Sequence, residues 1–432
     1  MSTVADGDRV RPASRRRVPN IAIVAGLAFA TSLVMAFVIS SGGSSVDGGF
    51  DPYFFGDMGK SIADGHGFRG FGNLITRRAP LYPILIGGIY FVFGDHYRAV
   101  LFFHCLFYAG TAVLAYDMAR RHFNERTGVI AGVMCTFHPL LLRYVPSLHL
   151  ETFLTFLMTL MIWCTYRFWR RPTLWNAVFI GLAAGLAALT KAVALPYPIV
   201  FFAAFLLTVR AARRRGADGP ARRIPWKPMI AGVLVMFATI APWTIRNHGT
   251  TGHFVLLSSG TSDAFLRGFI FSEWQYITLQ EPPYTGAENA SNAYFQKLAE
   301  DAGTVWERDD YETDQILNEE AKRRLREDPL SVVRKSVVGM FTFWYQLTSL
   351  KNSLLVGVFA IGAWVLAIIG WRQARREHKV VWPFLLPVIY LNVVLALLLA
   401  LGRYSAPVLP ALFVVGAFGV DTLLTKWWPR RA

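Results

Sequence analysis

An aspartate near the start of the chain has a setting that suits proton transfer. Asp51 and Asp57 lie in the segment Gly-Phe-Asp-Pro-Tyr-Phe-Phe-Gly-Asp, and a glycine-rich turn follows at residues 63–68. A carboxylate held by such a turn could take a proton from an attacking hydroxyl group. The alternative is structural, because an aspartate also caps the start of a short helix.

A second carboxylate, Glu151, precedes a long apolar stretch and is close in sequence to His149. An ionisable group at the edge of a hydrocarbon span is costly, and it therefore indicates a function. Two carboxylates from separate loops are a usual way to build an acid/base or substrate-orienting site. The alternative is a glutamate that the helix dipole favours at a helix N-terminus.

Several basic residues could bind a phosphate group. Arg77, Arg78 and Arg403 carry guanidinium groups, which suit a phosphate because their charge is fixed and their donors form a fork. Lys191 and Arg246 lie at the ends of apolar stretches. The alternative to phosphate binding is that these side chains only extend their charged groups into water at the membrane surface. The predicted substrate-binding residues are Asp57, Arg77, Arg78, His149, Lys191, Arg246, Arg403 and Tyr404, beside Asp51 and Glu151 as predicted catalytic residues.

The elements that must position these residues are membrane helices. The chain has 432 residues, of which 54% are hydrophobic and only 17% charged, and this composition is too apolar for an ordinary soluble protein. Apolar stretches of about 20 residues cross a bilayer as helices. Ten spans are predicted, at residues 20–40, 99–119, 127–142, 150–168, 175–190, 194–209, 228–245, 354–371, 380–401 and 405–424.

The distribution of basic residues predicts the orientation in the membrane. More than half of the 44 Lys and Arg fall in the segments that this scheme places on one side, together with few acidic residues, and the positive-inside rule makes that side cytoplasmic. Both tails, residues 1–19 and 425–432, are then cytoplasmic, and residues 20–424 form one transmembrane domain. A cleaved signal peptide is the competing interpretation of the first span.

Two large outer loops follow from this topology, at residues 41–98 and 246–352. Two short apolar stretches within them, Ala79 to Phe93 and Ser336 to Leu347, are predicted to be helices in the outer interface, in the first and fourth outer loops. The chain is therefore predicted to be an all-α polytopic membrane protein.

Charge and cysteine content exclude some classes of function. The net charge of +16 reflects topology signals and not a nucleic-acid surface, because the basic runs flank the spans. The three cysteines lie inside predicted spans and show no metal-site spacing, so no metal site is predicted. The sequence has no Walker loop, which argues against a self-powered pump.

An ordered series of short motifs resembles the bacterial polyprenyl-phosphate-sugar-dependent glycosyltransferases of the GT-C fold, a superfamily that includes protein O-mannosyltransferases and the lipid A aminoarabinose transferase. The series runs through nearly the whole chain. It consists of Asp51 with Phe55, Gly65-His-Gly67-Phe, Ala79-Pro-Leu-Tyr-Pro83, His149-Leu-Glu151, Leu189-Thr-Lys191, Ala241-Pro-Trp-Thr-Ile-Arg-Asn247 and Arg403-Tyr404. Phe55, Glu151 and Lys191 depart from the family pattern, in which tyrosine, aspartate and arginine are common.

The resemblance implies a GT-C-like bundle and a catalytic aspartate in the first outer loop, which maps onto Asp51. It implies that a hexose or pentose moves, with inversion, from a polyprenyl-phosphate sugar donor to a hydroxyl acceptor in the cell envelope: a lipid, a glycan or a protein. The expected location is the bacterial inner membrane, with an extracytoplasmic active site. A divalent metal is compatible with this chemistry but not required. The alternative is a transporter or flippase of a lipid-linked anion.

Overall fold

The computed structural model describes residues 19–39, 50–69, 76–214, 224–278, 283–304, 310–347 and 349–427. These residues are mostly helical, and no β-strand occurs among them. The helices are α1 Asn20–Val34, α2 Phe50–Ala63, α3 Leu81–Phe93, α4 Tyr97–His122, α5 Glu125–Phe137, α6 Pro139–Arg143, α7 Glu151–Arg170, α8 Leu174–Thr190, α9 Tyr197–Arg214, α10 Trp226–Thr251, α11 Thr261–Phe271, α12 Trp274–Ile277, α13 Pro283–Asp301, α14 Asp310–Glu327, α15 Pro329–Thr342, α16 Leu350–Arg376, α17 Trp382–Leu397 and α18 Leu409–Trp427. The prediction of an all-α chain is confirmed.

Six helical segments in the described part of the chain are long and apolar enough to cross a membrane. They are Asn20–Val38, Tyr97–His122, Ala192–Ala211, Trp226–Thr251, Leu350–Arg376 and Gly402–Trp427. The other four predicted spans fall on α5, α7, α8 and α17, which do not meet the same criteria of length and hydropathy. A membrane protein is therefore supported, whereas ten spans, the sidedness of both tails and the tail boundaries stay predictions. Residues 1–18 and 428–432 lie outside the described part of the chain.

Proline and capping residues set several helix boundaries. The predicted span 127–142 is shorter in the structure, because α5 ends at Phe137 and Pro139 begins the separate short helix α6. The predicted span 405–424 begins later, because the 3-10 segment Gly402–Val408, which contains Pro407, precedes α18. Side chains of Asn124, Thr173, Asp328 and Ser349 cap α5, α8, α15 and α16 by accepting a backbone N–H.

The helix α18 lies at the centre of the bundle. Its spanning window is 72% buried, compared with 22% for that of α10, and α18 packs against α4, α5, α16 and α17. The helix α10 lies at the periphery, where it packs mainly against α8. The apolar side chains that α10 leaves exposed, such as Ile230 and Leu234, are those expected of a surface that faces lipid.

The two loops that were predicted to be large contain the remaining helices. The first loop contains α2 and α3, which pack on each other, and the second contains α11 to α15. The predicted interfacial helices correspond to α3 and α15, although α15 begins seven residues earlier than predicted, where Asp328 caps it and Pro329 occupies its first turn. Their position relative to the bilayer stays a prediction. Leu266, Phe295 and Leu317 form a small core where α11, α13 and α14 meet.

Glycines allow α8 and α10 to touch backbone to backbone. A Cβ atom added at Gly181 would lie 2.1 Å from the carbonyl oxygen of Gly232, and one added at Gly185 would lie 2.6 Å from Thr239 Cβ. Small residues permit such close approach between membrane helices, where dispersion contacts replace the hydrophobic effect. The same arrangement joins α16 to α18 at Gly370 and Gly419.

This contact predicts a loss of stability on enlargement of Gly181. Gly181→Val should lower the free energy of unfolding by about 1–3 kcal/mol, since the helices must separate to admit the side chain. Gly26→Val on the exposed face of α1, where no atom lies within 4 Å of the added Cβ, is the matched control. Thermal unfolding of the detergent-solubilised proteins measures the difference, and equal melting temperatures would contradict the proposed contact.

Candidate active site

A cavity of about 470 Å³ opens where several helix ends meet. Its walls come from α2, from the residues before α3, from the start of α7, from the end of α8, and from the end of α17 with the 3-10 segment after it. The turn before α11, α11 itself and α13 complete it. Because separate helices contribute their ends, the cavity brings together residues that are hundreds of positions apart in sequence.

A buried ion pair occupies one side of the cavity. Arg403 Nε lies 3.6 Å from Glu151 Oε1, and the two side chains are 11% and 5% exposed. Glu151 is the first residue of α7, where the helix dipole stabilises its negative charge. Glu151 Oε2 is also buried and accepts no hydrogen bond from the described residues. Such an atom is costly to leave unsatisfied, so this oxygen favours a ligand that donates a hydrogen bond.

Tyr404 connects this ion pair to a third charged residue. Its hydroxyl group accepts a hydrogen bond of 3.3 Å from Arg403 Nη2, and its ring centroid lies 3.3 Å from Lys191 Nζ. Lys191 caps the C-terminus of α8, where the helix dipole favours a cation. Glu151, Lys191, Arg403 and Tyr404, which we call the Glu151 group, therefore carry one negative and two positive charges.

Arg78 adds a further cation to the wall of the same cavity. Its guanidinium carbon lies 5.6 Å from the ring centroid of Phe54, and Phe54 and Phe55 of α2 both line the cavity. Burial in apolar surroundings strengthens the interaction of such cations with an anion. With Lys191 and Arg403, Arg78 makes this part of the cavity suitable for a phosphate group.

A second charged group lines the same cavity. Asp263 pairs with Arg267 one turn further along α11, at 2.9 Å, and with Arg77 at 3.5 Å. Arg267 Nη2 also donates to Asn292 Oδ1 of α13 at 3.0 Å. These four residues, the Asp263 group, fasten α11 to α13 and to the residues before α3.

The turn between α10 and α11 is held in place by hydrogen bonds. Trp243 Nε1 donates to Leu257 O at 2.8 Å, and Asn247 Nδ2 donates to Val255 O and Leu257 O at 3.1 and 3.2 Å. At the tip of the turn, Gly260 has a φ of 100°, a conformation that favours glycine. The turn therefore forms a fixed part of the cavity wall.

Lys335 of α15 joins α11 to the end of α17, next to the cavity wall, through hydrogen bonds. Its Nζ donates to the carbonyl oxygens of Phe265, Leu397 and Leu398 at 2.9, 2.9 and 3.1 Å. Leu397 and Leu398 end α17, whose last carbonyl groups have no partner within the helix, so the ammonium group satisfies them. Lys335 is only 3% exposed, and burial lowers its pKa to about 7.

A narrow apolar cleft extends from the Glu151 group into the helical bundle. Its lining combines all four members of that group with side chains of α7, of α17 and of the 3-10 segments Ala192–Ala194 and Gly402–Val408. Leu154, Met158, Val193, Leu391, Leu395 and Pro407 form its apolar part. The cleft holds only about 10 Å³, roughly the space of one water molecule, so it is an apolar path beside the cations and not a cavity that already accommodates a hydrocarbon tail.

The structure places six of the predicted site residues in this cavity: Arg77, Arg78, Glu151, Lys191, Arg403 and Tyr404. Three others lie elsewhere. Asp57 is on an exposed face of α2, His149 is buried against Tyr144 and Ser147, and Arg246 stacks on Phe68 and Trp243. Asp51 lies in the first turn of α2, but its side chain is outside the described part of the structure.

Other cavity residues were not identified from the sequence. Asp263 and Arg267 are four residues apart, and Glu288, Asn292 and Gln296 follow the same spacing on α13. This spacing indicates a polar helix face, but a solvated helix shows the same pattern. Lys335 could not be identified from the sequence, because lysines are common near a membrane interface and usually extend into water there. Within the described residues, no group of three His, Cys, Asp or Glu side chains could hold a metal ion.

The fold matches that of oligosaccharyltransferases from Archaeoglobus fulgidus. The structure tethered to an acceptor peptide with the NVT sequon has a TM-score of 0.59 and 14% identity, and covers 94% of this chain and 50% of its own. AglB in complex with an inhibitory peptide and a dolichol-phosphate has a TM-score of 0.57 and 13% identity, with the same shares of 94% and 50%. The chain thus spans about half the length of these proteins, and it shares their fold, the GT-C fold.

The sequence comparison finds a family model that matches part of the chain. Residues 77–243 match the family described as dolichyl-phosphate-mannose-protein mannosyltransferase. The resemblance to glycosyltransferases that use polyprenyl-phosphate sugars is thereby confirmed. ArnT from Cupriavidus metallidurans bound to undecaprenyl phosphate is 16% identical over 93% of this chain and 77% of its own, with a TM-score of 0.42 that carries no weight for the fold. No curated protein sequence matches the chain.

The buried Lys335 predicts a pH dependence of stability. The pKa of a lysine is 10.5 in its ordinary state and about 7 for Lys335 in the fold. Between these values the unfolded chain binds more protons, so this residue makes the free energy of unfolding rise with pH. Lys335→Met removes that contribution. Between pH 7 and 9, the melting temperature of the wild type should therefore rise relative to that of Lys335→Met.

Thermal unfolding of the full chain in detergent at pH 6.5, 8 and 9 measures this difference. Lys297→Met, which changes an exposed lysine on α13, is the matched control and should follow the wild type at each pH. A constant difference between wild type and Lys335→Met would show that Lys335 does not titrate in this range.

Proposed function

We propose that this protein is a membrane glycosyltransferase that moves one sugar from a polyprenyl-phosphate donor to a hydroxyl acceptor on the extracytoplasmic face. The observation that carries the proposal is the convergence of Arg78, Lys191, Arg403 and Glu151 on one cavity, from which an apolar cleft leads into the bundle. The cations suit a phosphate, and the apolar side chains of the cleft suit a polyprenyl chain once they move apart to admit it. The family match over residues 77–243 supports the same class of donor.

The reaction that this cavity suits is a direct displacement. The acceptor oxygen attacks the anomeric carbon and forms the new glycosidic bond, while the bond from that carbon to the phosphate oxygen breaks. The leaving polyprenyl phosphate keeps the electron pair, and Arg78, Lys191 and Arg403 stabilise the charge that grows on it. A single displacement inverts the configuration at the anomeric carbon.

Asp51 is proposed as the general base that takes the acceptor proton. The register of α2 supports this role, because position 51 precedes Phe54 and Phe55 by three and four residues and so belongs to the helical face that lines the cavity. Glu151 is proposed to orient the acceptor, since its unsatisfied Oε2 can accept a hydrogen bond from a hydroxyl group.

The arrangement of charges argues against a transporter. A transport path requires polar groups that line both halves of the membrane domain. The cavity instead collects its cations and carboxylates at the helix ends, and its extension into the bundle is lined mainly by apolar residues. This geometry favours a site for transfer.

The first experiment measures release of polyprenyl phosphate from a panel of polyprenyl-phosphate hexoses and pentoses. Membranes that contain the wild type should release it when cell-envelope extract is present. Asp51→Asn should reduce the rate by about 10²–10⁴-fold, the usual contribution of a general base. Asp64→Asn, which changes an exposed aspartate after α2, is the control. Equal rates in wild type and Asp51→Asn would remove Asp51 from the chemistry.

A second experiment tests the phosphate site. Lys191→Gln and Arg403→Gln should each weaken donor binding by about 10–100-fold, the effect of losing one hydrogen bond to a charged group. Lys191→Gln is the more direct variant, because Arg403→Gln also leaves Glu151 without its ion pair. Arg376→Gln, at the exposed end of α16, is the control. Unchanged retention of a radiolabelled donor by the two site variants would refute this assignment.

A further inference from the structure

Helix α13 presents a row of polar side chains to the cavity. Glu288, Asn292 and Gln296 all line it, and their spacing of four residues places them on one face of the helix. Successive members of the row are about 6 Å apart along the helix axis, given a rise of 1.5 Å per residue. The row therefore offers three polar contacts over about 12 Å.

Hydrogen bonds fix the polarity of this row. Asn292 Oδ1 accepts from Arg267, so the amide NH₂ group of Asn292 is the donor in the row. Gln296 Nε2 donates to Glu300 Oε1 at 3.1 Å, so the amide oxygen of Gln296 is the acceptor. Glu288 is a carboxylate and accepts. The row thus alternates acceptor, donor and acceptor, a pattern that hydroxyl groups match because each can both donate and accept.

Among the described side chains, charges are paired near α11 and in excess near Glu151. Asp263 pairs with both Arg77 and Arg267, and Glu288 also lines this part of the cavity. The described side chains near Glu151 include three cations, Arg78, Lys191 and Arg403, and the carboxylate of Glu151. An anion is therefore favoured near Glu151, and an uncharged polar molecule near α13.

We infer that α11 and α13 form the acceptor subsite, and that the acceptor is a glycan. This inference rests on the proposed function, which assigns the donor phosphate to the cations near Glu151. Phe271 is only 4% exposed and packs against Tyr276 and Leu399, so the polar row of α13 supplies the contacts with the ligand. A peptide backbone also carries hydrogen-bond donors and acceptors, and a peptide is therefore the competing ligand in the experiment.

Photoaffinity labelling of the full chain in nanodiscs tests the subsite. The probes are diazirine-bearing glycosides of mannobiose, glucobiose and galactobiose, together with a diazirine-bearing threonine-rich peptide. At least one disaccharide probe should label α11 or α13, and the free disaccharide should compete. Asn292→Ala and Gln296→Ala should each reduce the competed labelling about fivefold, as expected for one neutral hydrogen bond. Asn289→Ala, an exposed position on α13 outside the cavity, should label like the wild type.

The inference is overturned if no disaccharide probe gives competed labelling of α11 or α13, if all variants label equally, or if only the peptide labels this wall. Release of polyprenyl phosphate by the same preparations separates this result from the proposed function. Competed labelling without release would keep the glycan subsite and reject the transferase. Release without competed labelling would keep the transferase and reject the glycan subsite. Thermal unfolding of each variant shows whether it is folded.

Discussion

The ion pair between Glu151 and Arg403 is the interaction on which the arrangement of this protein depends. Both side chains are buried at the edge of an apolar bundle. Their desolvation costs more free energy than the desolvation of an ion pair at the surface would. A well-packed apolar pair would often serve stability equally well. The surroundings offset the cost through the N-terminus of α7 and the hydroxyl group of Tyr404. These charges are therefore best explained by a ligand that needs them.

The distribution of charge divides the cavity into two regions. Near Glu151 the cations exceed the carboxylates among the described side chains, and an apolar cleft begins there. Near Asp263 the charges are balanced by close ion pairs, and amide side chains of α13 complete the wall. In the proposed reaction, the first region would hold the charged donor and the second the hydroxyl-bearing acceptor. Holding two reactants in this way removes much of the entropic barrier to their reaction.

The sequence predicted those parts of the site that depend on burial of charge. Arg77, Arg78, Glu151, Lys191 and Arg403 were identifiable because a charge beside an apolar stretch requires an explanation. The α13 row could not be distinguished, since an exposed amide on a polar helix carries no such cost. Helix ends were predicted less well than the helices themselves. The helix α17 stops at Leu397, whose carbonyl oxygen accepts a hydrogen bond from Lys335, 62 residues away in the sequence. No local pattern contains that contact.

The glycine contact between α8 and α10 has a mechanical consequence. Lys191 ends α8, and the turn with Ser258 and Gly260 is bonded to the end of α10. Because the two helices touch backbone to backbone, a shift of one must displace the other, and these two parts of the cavity wall are mechanically coupled. If donor and acceptor bind as proposed, the distance between them depends on this contact between two helices.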